Sequence, residues 1–149
     1  NIRGELIDLS TPKVMGILNV TPDSFYDGGY YNSNAKILKQ VEKMIKDGAA
    51  IIDIGGYSSR PGADDIAESI ELERVVPTLK DCKKYFPETY FSIDTFRSKV
   101  AEECIYNGAD ILNDFSGGNF DNNMMNMQLN QHCLLLVLFV IDNQVQYCL

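Results

Sequence analysis

Four places in this sequence gather residues able to do chemistry as well as pack. The first is Asn19-Val20-Thr21-Pro22-Asp23-Ser24-Phe25-Tyr26-Asp27-Gly28-Gly29. Its amide, hydroxyl and carboxylate oxygens are hard ligands suited to Mg²⁺ beside a phosphate. The same residues are also ordinary turn formers. The second is Gly55-Gly56-Tyr57-Ser58-Ser59-Arg60-Pro61-Gly62. Two hydroxyls, a guanidinium and permissive glycines suit an oxyanion or phosphate clamp; a solvated turn with a surface arginine reads as well. Neither a Walker A nor a dinucleotide spacing is present. The third is Asp94, at the end of Tyr90-Phe91-Ser92-Ile93-Asp94. A carboxylate at a buried strand end is costly unless partnered. A helix N-terminus would serve, and so would the paired N–H edge of a guanidine-like ring. The fourth is Asn113, whose donor and acceptor suit the same heterocycle. Beside it, Asp114 reads as a cap for the next helix, and Gly117-Gly118 as a turn or a close approach to a ligand. His132, the one histidine, has no acid, Cys or Ser companion at a recognisable spacing and reads as incidental.

These residues need elements to position them, and the chain alternates two kinds. Short apolar runs at Lys13–Asn19, Ala50–Ile54, Tyr90–Asp94, Asp110–Asn113 and Leu134–Ile141 read as strands. Between the first two, Ile37, Leu38, Val41, Met44 and Ile45 make one face of a helix, with Ser33 or Asn34 as N-cap and Gly48 as the stop. A second helix is expected from about Ile66 to Tyr85, kinked or divided by Pro77. A third runs from Ser98, its expected cap, through Tyr106, and is closed by Asn107-Gly108. Residues 120–131 read as weakly helical.

Strands alternating with helices predict an α/β fold with a parallel sheet and right-handed crossovers. An open doubly wound sheet and a (β/α)₈ barrel cut short both fit. Each puts functional residues at the C-terminal ends of strands. Asn19, Asp53, Asp94 and Asn113 stand at such ends, so they are expected to converge on one mouth.

The 149 residues are 45% hydrophobic and 23% charged, a globular profile. A net charge of −8 disfavours general nucleic-acid binding. The longest apolar run, Leu134 to Ile141, is far below the roughly 20 residues of a membrane span. Cys82, Cys104, Cys133 and Cys148 include no C-x-x-C pair, so structural zinc is disfavoured and free thiols in a reducing cytoplasm are expected. The absence of an initiator Met suggests truncation or trimming.

The strings from Met15 to Gly29 and from Gly48 to Gly62 resemble the first two signatures of dihydropteroate synthase. Ser92-Ile93-Asp94-Thr95 and Asn113-Asp114-Phe115-Ser116-Gly117-Gly118 are similar to its two following strand ends. The resemblance implies the (β/α)₈ barrel, with about the first half present. It implies a folate-biosynthesis enzyme joining 7,8-dihydropterin-6-ylmethyl diphosphate to 4-aminobenzoate, giving dihydropteroate and pyrophosphate. Asp94 and Asn113 would bind the pterin edge. Asn19 would help hold Mg²⁺ with the pyrophosphate, which Ser59 and Arg60 would contact. Phe25 and Pro61 would close over the aminobenzoate, with Asp27 and Arg60 in catalytic roles, ordering the two loops. The family is cytoplasmic and commonly homodimeric; dimerisation is doubtful for this chain.

The matching motifs run from about residue 13 to 120, within a single partial domain over 1–149. Residues 121–149 read as a divergent tail, with a shifted reading frame or a non-native end as its expected origin. A (β/α)₈ barrel takes about 250 residues. The chain alone is therefore expected to be inactive or poorly folded. Two other readings stand beside the synthase: a corrinoid-linked methyltransferase domain, which shares the aspartate–asparagine pterin grip, and an inactive truncated fragment.

Overall fold

A computed structural model describes residues 2–21, 30–58, 65–126, 134–141 and 144–148, with side chains for 2–21, 34–58 and 65–126. The alternation is realised as β1 (Val14–Asn19), α1 (Tyr30–Lys46), β2 (Ala49–Gly55), α2 (Glu68–Tyr85), β3 (Tyr90–Asp94), α3 (Ser98–Tyr106), β4 (Ile111–Asp114), β5 (Leu134–Ile141) and β6 (Gln144–Cys148). The strands lie side by side in chain order, and β1 to β5 are all parallel. β6 turns back antiparallel on β5. Only two residues separate β5 from β6, too few for a helical crossover. Consecutive strands that each neighbour the next are the order of a (β/α)₈ barrel, here about its first half.

The period of two along each strand separates two faces. Leu18, Ile52, Ile54, Phe91, Ile93 and Leu112 point outward and pack under the helices with Ile37, Val41, Val75, Leu79, Val100 and Ala101. Met15, Ile51, Tyr90 and Ile111 point inward near the strands' N-terminal ends, where Ile2 and Ile7 cover them. The covering segment is tied down by Arg3. Its guanidinium grips both Asp110 carboxylate oxygens, at 2.7 and 3.0 Å, and donates to the carbonyls of Pro87 and Thr89. One end of the sheet's inner face is thus closed by apolar packing, and polar chemistry is confined to the other.

Three local expectations change. α1 begins at Tyr30, so neither Ser33 nor Asn34 is its N-cap. Asn34 lies inside the helix and donates to Asp81 of α2 at 2.8 Å, a tertiary bond invisible in local sequence. Pro77 does not divide α2, which is one helix of 18 residues. The amide hydrogen that Pro77 lacks costs one ladder bond, and a helix held by buried Val75, Leu79 and Cys82 tolerates that loss. Asp114 caps no helix. Its carboxylate accepts from the Ser116 and Gly118 amides, closing a turn in which Gly117 and Gly118 have φ of 62° and 81°. Ser98 is the first residue of α3 and not its cap; the helix N-terminus is served by Asp121, which accepts from the Ser98 amide at 2.8 Å.

Cys82 and Cys104 are buried free thiols, each pushed up to about 12 chiefly by burial. The Cys133 and Cys148 side chains, like His132, fall outside the described set. Among the described residues no helix is long and apolar enough to cross a membrane.

Gly56, just beyond β2, shows how tightly α2 sits on the sheet. A Cβ there would stand 2.5 Å from Val75 Cγ2 and 3.3 Å from the Glu71 carbonyl oxygen. Gly56→Ala is expected to cost about 1–3 kcal/mol by overpacking. Chemical denaturation would measure this, and a loss below about 0.5 kcal/mol would show that α2 moves aside freely.

Candidate active site

Sheet register assembles the site. Asn19 pairs with Gly55, Gly55 with Asp94 and Asp94 with Asn113, so three predicted residues and a glycine form one row across β1 to β4. The bare backbone of Gly55 is the floor between the first two polar side chains. A Cβ on it would lie 3.4 Å from Asn19 Oδ1 and 3.6 Å from Asp94 Oδ2. Asn19 is exposed, while Asn113 is buried.

One pleat below this row lies a second, in which Asp53 pairs with Ser92 and Ser92 with Ile111. Asp53 is therefore deeper than a strand end, and it is 4% exposed. Its Oδ2 accepts from Asn113 Nδ2 at 2.9 Å. Asp53 Oδ1, Ser92 Oγ and Asn113 Oδ1 are buried with no hydrogen-bond partner among the described residues. Such orphaned atoms are uncommon and mark a place built for a polar guest or ordered water. Burial pushes the Asp53 carboxyl upward, opposed by the bond from the Asn113 amide. Burial, reinforced by the negative fields of Asp53, Glu71 and Asp114, pushes Asp94 up to about 7.

The rim is aromatic. Tyr57 follows β2, Phe96 follows β3 and Phe115 follows β4, and Phe96 stands edge-on to Tyr57, Phe115 and Phe120 with centroids 5.1–5.7 Å apart. Arg97 lies across the Tyr57 and Phe96 rings at 5.2 and 5.1 Å. Its guanidinium donates to Glu71 Oε2 at 2.6 Å, to the Ile66 carbonyl at 2.7 Å and to Asp65 at 3.2 Å. Arg97 therefore anchors the stretch where the chain leaves the second loop and enters α2. Neither Arg97 nor the Asp53 bond to Asn113 was assigned from sequence. Asp53 carried one usable signal: two residues before Gly55, it shares the inner face.

The model of the family described as pterin binding enzyme matches residues 15–147. The chain belongs to the pterin-binding enzyme family. This pterin-binding enzyme chain is 50% identical over 113 residues to the folic acid synthesis protein fol1 of Pneumocystis carinii, covering 76% of this chain and 15% of that protein. It is 41% identical over 142 residues to a dihydropteroate synthase of Streptococcus pyogenes serotype M1, covering 95% of this chain and 53% of that one. A dihydropteroate synthase from Clostridium difficile, solved in the presence of pteroic acid, superposes with a TM-score of 0.79 at 40% identity, over 83% of this chain and 46% of that one. The chain spans about half the length of the bacterial relatives it matches. The family match runs past residue 121, to residue 147.

Of the predicted site residues, the pterin-binding enzyme fold brings Asn19, Asp94 and Asn113 together. Phe25, Asp27, Ser59, Arg60 and Pro61 lie outside the described residues. Among the described residues no group of three His, Cys, Asp or Glu side chains gathers to hold a metal.

Proposed function

We propose that this chain carries the pterin-holding half of a dihydropteroate synthase, which condenses 7,8-dihydropterin-6-ylmethyl diphosphate with 4-aminobenzoate. The observation that carries the reading is the register row: an exposed amide at Asn19, a bare glycine, and adjacent acceptors at Asp94 and Asn113. A pterin edge offers neighbouring N–H donors, and a half-buried carboxylate beside a buried amide is matched to such an edge.

Mg²⁺ fits this site as an ion held together with the substrate diphosphate. Asn19 supplies one hard oxygen, and no described acidic cluster stands beside it to make a resident site. When bound, the ion would neutralise charge developing on the departing pyrophosphate. The chain's own residues divide the remaining work. Asp94 and Asn113 orient the ring, so that its exocyclic methylene faces the mouth. Ser59 and Arg60 hold the diphosphate, and Arg60 stabilises the leaving charge. Phe25 and Pro61 would close over the aminobenzoate, Asp27 and Arg60 would order the two loops, and the loops would exclude water. The arylamine attacks a methylene whose leaving group departs readily, so no side-chain nucleophile is needed.

Cytoplasmic location and a homodimer of the full-length enzyme belong to the same proposal. So does the division at about residue 121, with 121–149 as a stretch lacking the family's later motifs. A corrinoid-linked methyltransferase domain would share the pterin grip, but both bacterial comparisons above carry the synthase name.

Calorimetric titration of the folded chain with 6-hydroxymethyl-7,8-dihydropterin is expected to show saturable one-to-one binding. No binding at millimolar ligand overturns the reading. With both substrates and Mg²⁺, the chain alone is expected to give no robust turnover, because its relatives are about twice as long. Robust turnover would show that the described half suffices.

A further inference from the structure

An asparagine can present either its oxygen or its nitrogen, and the two ends select opposite ligands. At Asn113 the choice is made by a neighbour. Asp53 is buried one pleat below, and its Oδ2 accepts from the Asn113 amide nitrogen at 2.9 Å, a role open to a carboxylate oxygen and to the carbonyl oxygen of a carboxylic acid alike. The Asn113 oxygen is consequently turned away from Asp53, where it is buried and without a partner among the described residues. The next residue in the register row is Asp94. The Asn113 oxygen and the Asp94 carboxylate are thus acceptors on neighbouring strands of one face, matched to a ring edge with adjacent N–H donors. Were the amide reversed, the same row would present a donor beside an acceptor and select a different edge.

We propose that Asp53 is a specificity-determining positioning residue, which fixes the Asn113 amide so that the site reads two adjacent donors on its heterocycle. The inference rests on the pterin reading above and deepens it. Asp53 itself touches no ligand in this scheme; it acts through Asn113. A buried carboxylate is an expensive way to fill a strand interior, and fixing one orientation of a hydrogen-bonding group is a return that an apolar residue could not provide.

The test compares two ligands that differ at one ring position. 6-Hydroxymethylpterin carries an amino group at C2, where 6-hydroxymethyllumazine carries a carbonyl. The unaltered chain is expected to prefer the pterin at least a hundredfold. Asp53→Asn leaves the shape intact but offers Asn113 both a donor and an acceptor, so either amide orientation is allowed. The preference is then expected to narrow at least tenfold, mainly through weaker pterin binding. If Asp53 were merely structural, both ligands would weaken together and the ratio would stand, which overturns the inference while leaving the pterin reading intact. Failure of the unaltered chain to bind the pterin overturns both. Should Asp53→Asn not fold, hydrogen exchange in the unaltered chain still decides. The Asn113 side-chain amide protons are expected to exchange at least tenfold more slowly than those of exposed Asn122. Equal rates would show that Asp53 does not hold the amide.

Discussion

Asp94→Asn is expected to make the chain more stable at pH 8 and weaker at holding a pterin. The two effects share one cause. Burial and the nearby Asp53, Glu71 and Asp114 push Asp94 from its ordinary value of 3.8 up to about 7. Between about pH 4 and 7 the folded chain keeps a proton that the unfolded chain has lost. Stability therefore falls as pH rises through that window and levels off above it. Each unit of such a shift corresponds to about 1.4 kcal/mol. After allowance for solvent relaxation, removing the ionisable group is expected to add ~2–4 kcal/mol at pH 8 and almost nothing below pH 4. Urea melts at pH 4, 6 and 8 would measure this. A variant no more stable than the parent at pH 8 would show that Asp94 is not strained in the empty site. The lost carboxylate is expected to lower pterin affinity about ten- to a hundredfold, since the charge-assisted bond that Asp94 accepts is replaced by a weaker one to a neutral amide. Affinity in the parent should likewise fall as pH drops below about 7, because protonated Asp94 loses the charge that strengthens its bond to the ring. Undiminished binding by Asp94→Asn would remove Asp94 from the site.

Arg97→Ala is the substitution expected to harm the fold most. Glu71 is fully buried, its Oε2 is held by Arg97, and its Oε1 has no other partner among the described residues. Removing the arginine strands a charge in the interior, at a cost of about 3–5 kcal/mol. The same change frees the Ile66 carbonyl and Asp65 and uncovers the Tyr57 and Phe96 rings. The second change separates these causes. In Arg97→Ala with Glu71→Gln the buried charge is gone, and at least half of the loss is expected to return. If the double variant is no better than the single one, the energy lies in the ring and carbonyl contacts. Lysine at 97 should recover little, since a single ammonium cannot reach Glu71, Ile66 and Asp65 in one plane.

The fold was legible to the extent that strands and helices alternate in hydrophobic period. Ile37, Val41 and Ile45 marked the buried side of α1, and strand ends at Asn19, Asp94 and Asn113 were placed where register then joined them. What sequence did not disclose were the long-range polar bonds. Asn34 was read as a cap because its preference for caps is local, whereas its bond to Asp81 spans 47 residues. Asp53 was placed at the mouth with the other strand ends, yet the last residue of β2 is Gly55 and Asp53 sits two positions deeper. Arg97 was passed over because an arginine beside a helix-capping serine reads as ordinary surface. Its three partners come from residues 26 to 32 positions earlier. Pro77 does not divide α2, and local helix rules carry no information about the packing that holds it together.

The row Asn19, Gly55, Asp94, Asn113 behaves as a ruler engraved in the backbone. Neighbouring strands in any sheet stand about 4.8 Å apart, so Asn19 and Asn113 are three graduations from one another whatever side chains surround them. Loops at the mouth are free to lengthen, shorten or change composition without moving these marks. Only an edit to strand pairing, such as an inserted residue that shifts one register by a step, would recalibrate the scale, and it would also turn every inward side chain of that strand outward. Ligand length at this site is therefore policed by the sheet, while ligand chemistry is left to individual side chains.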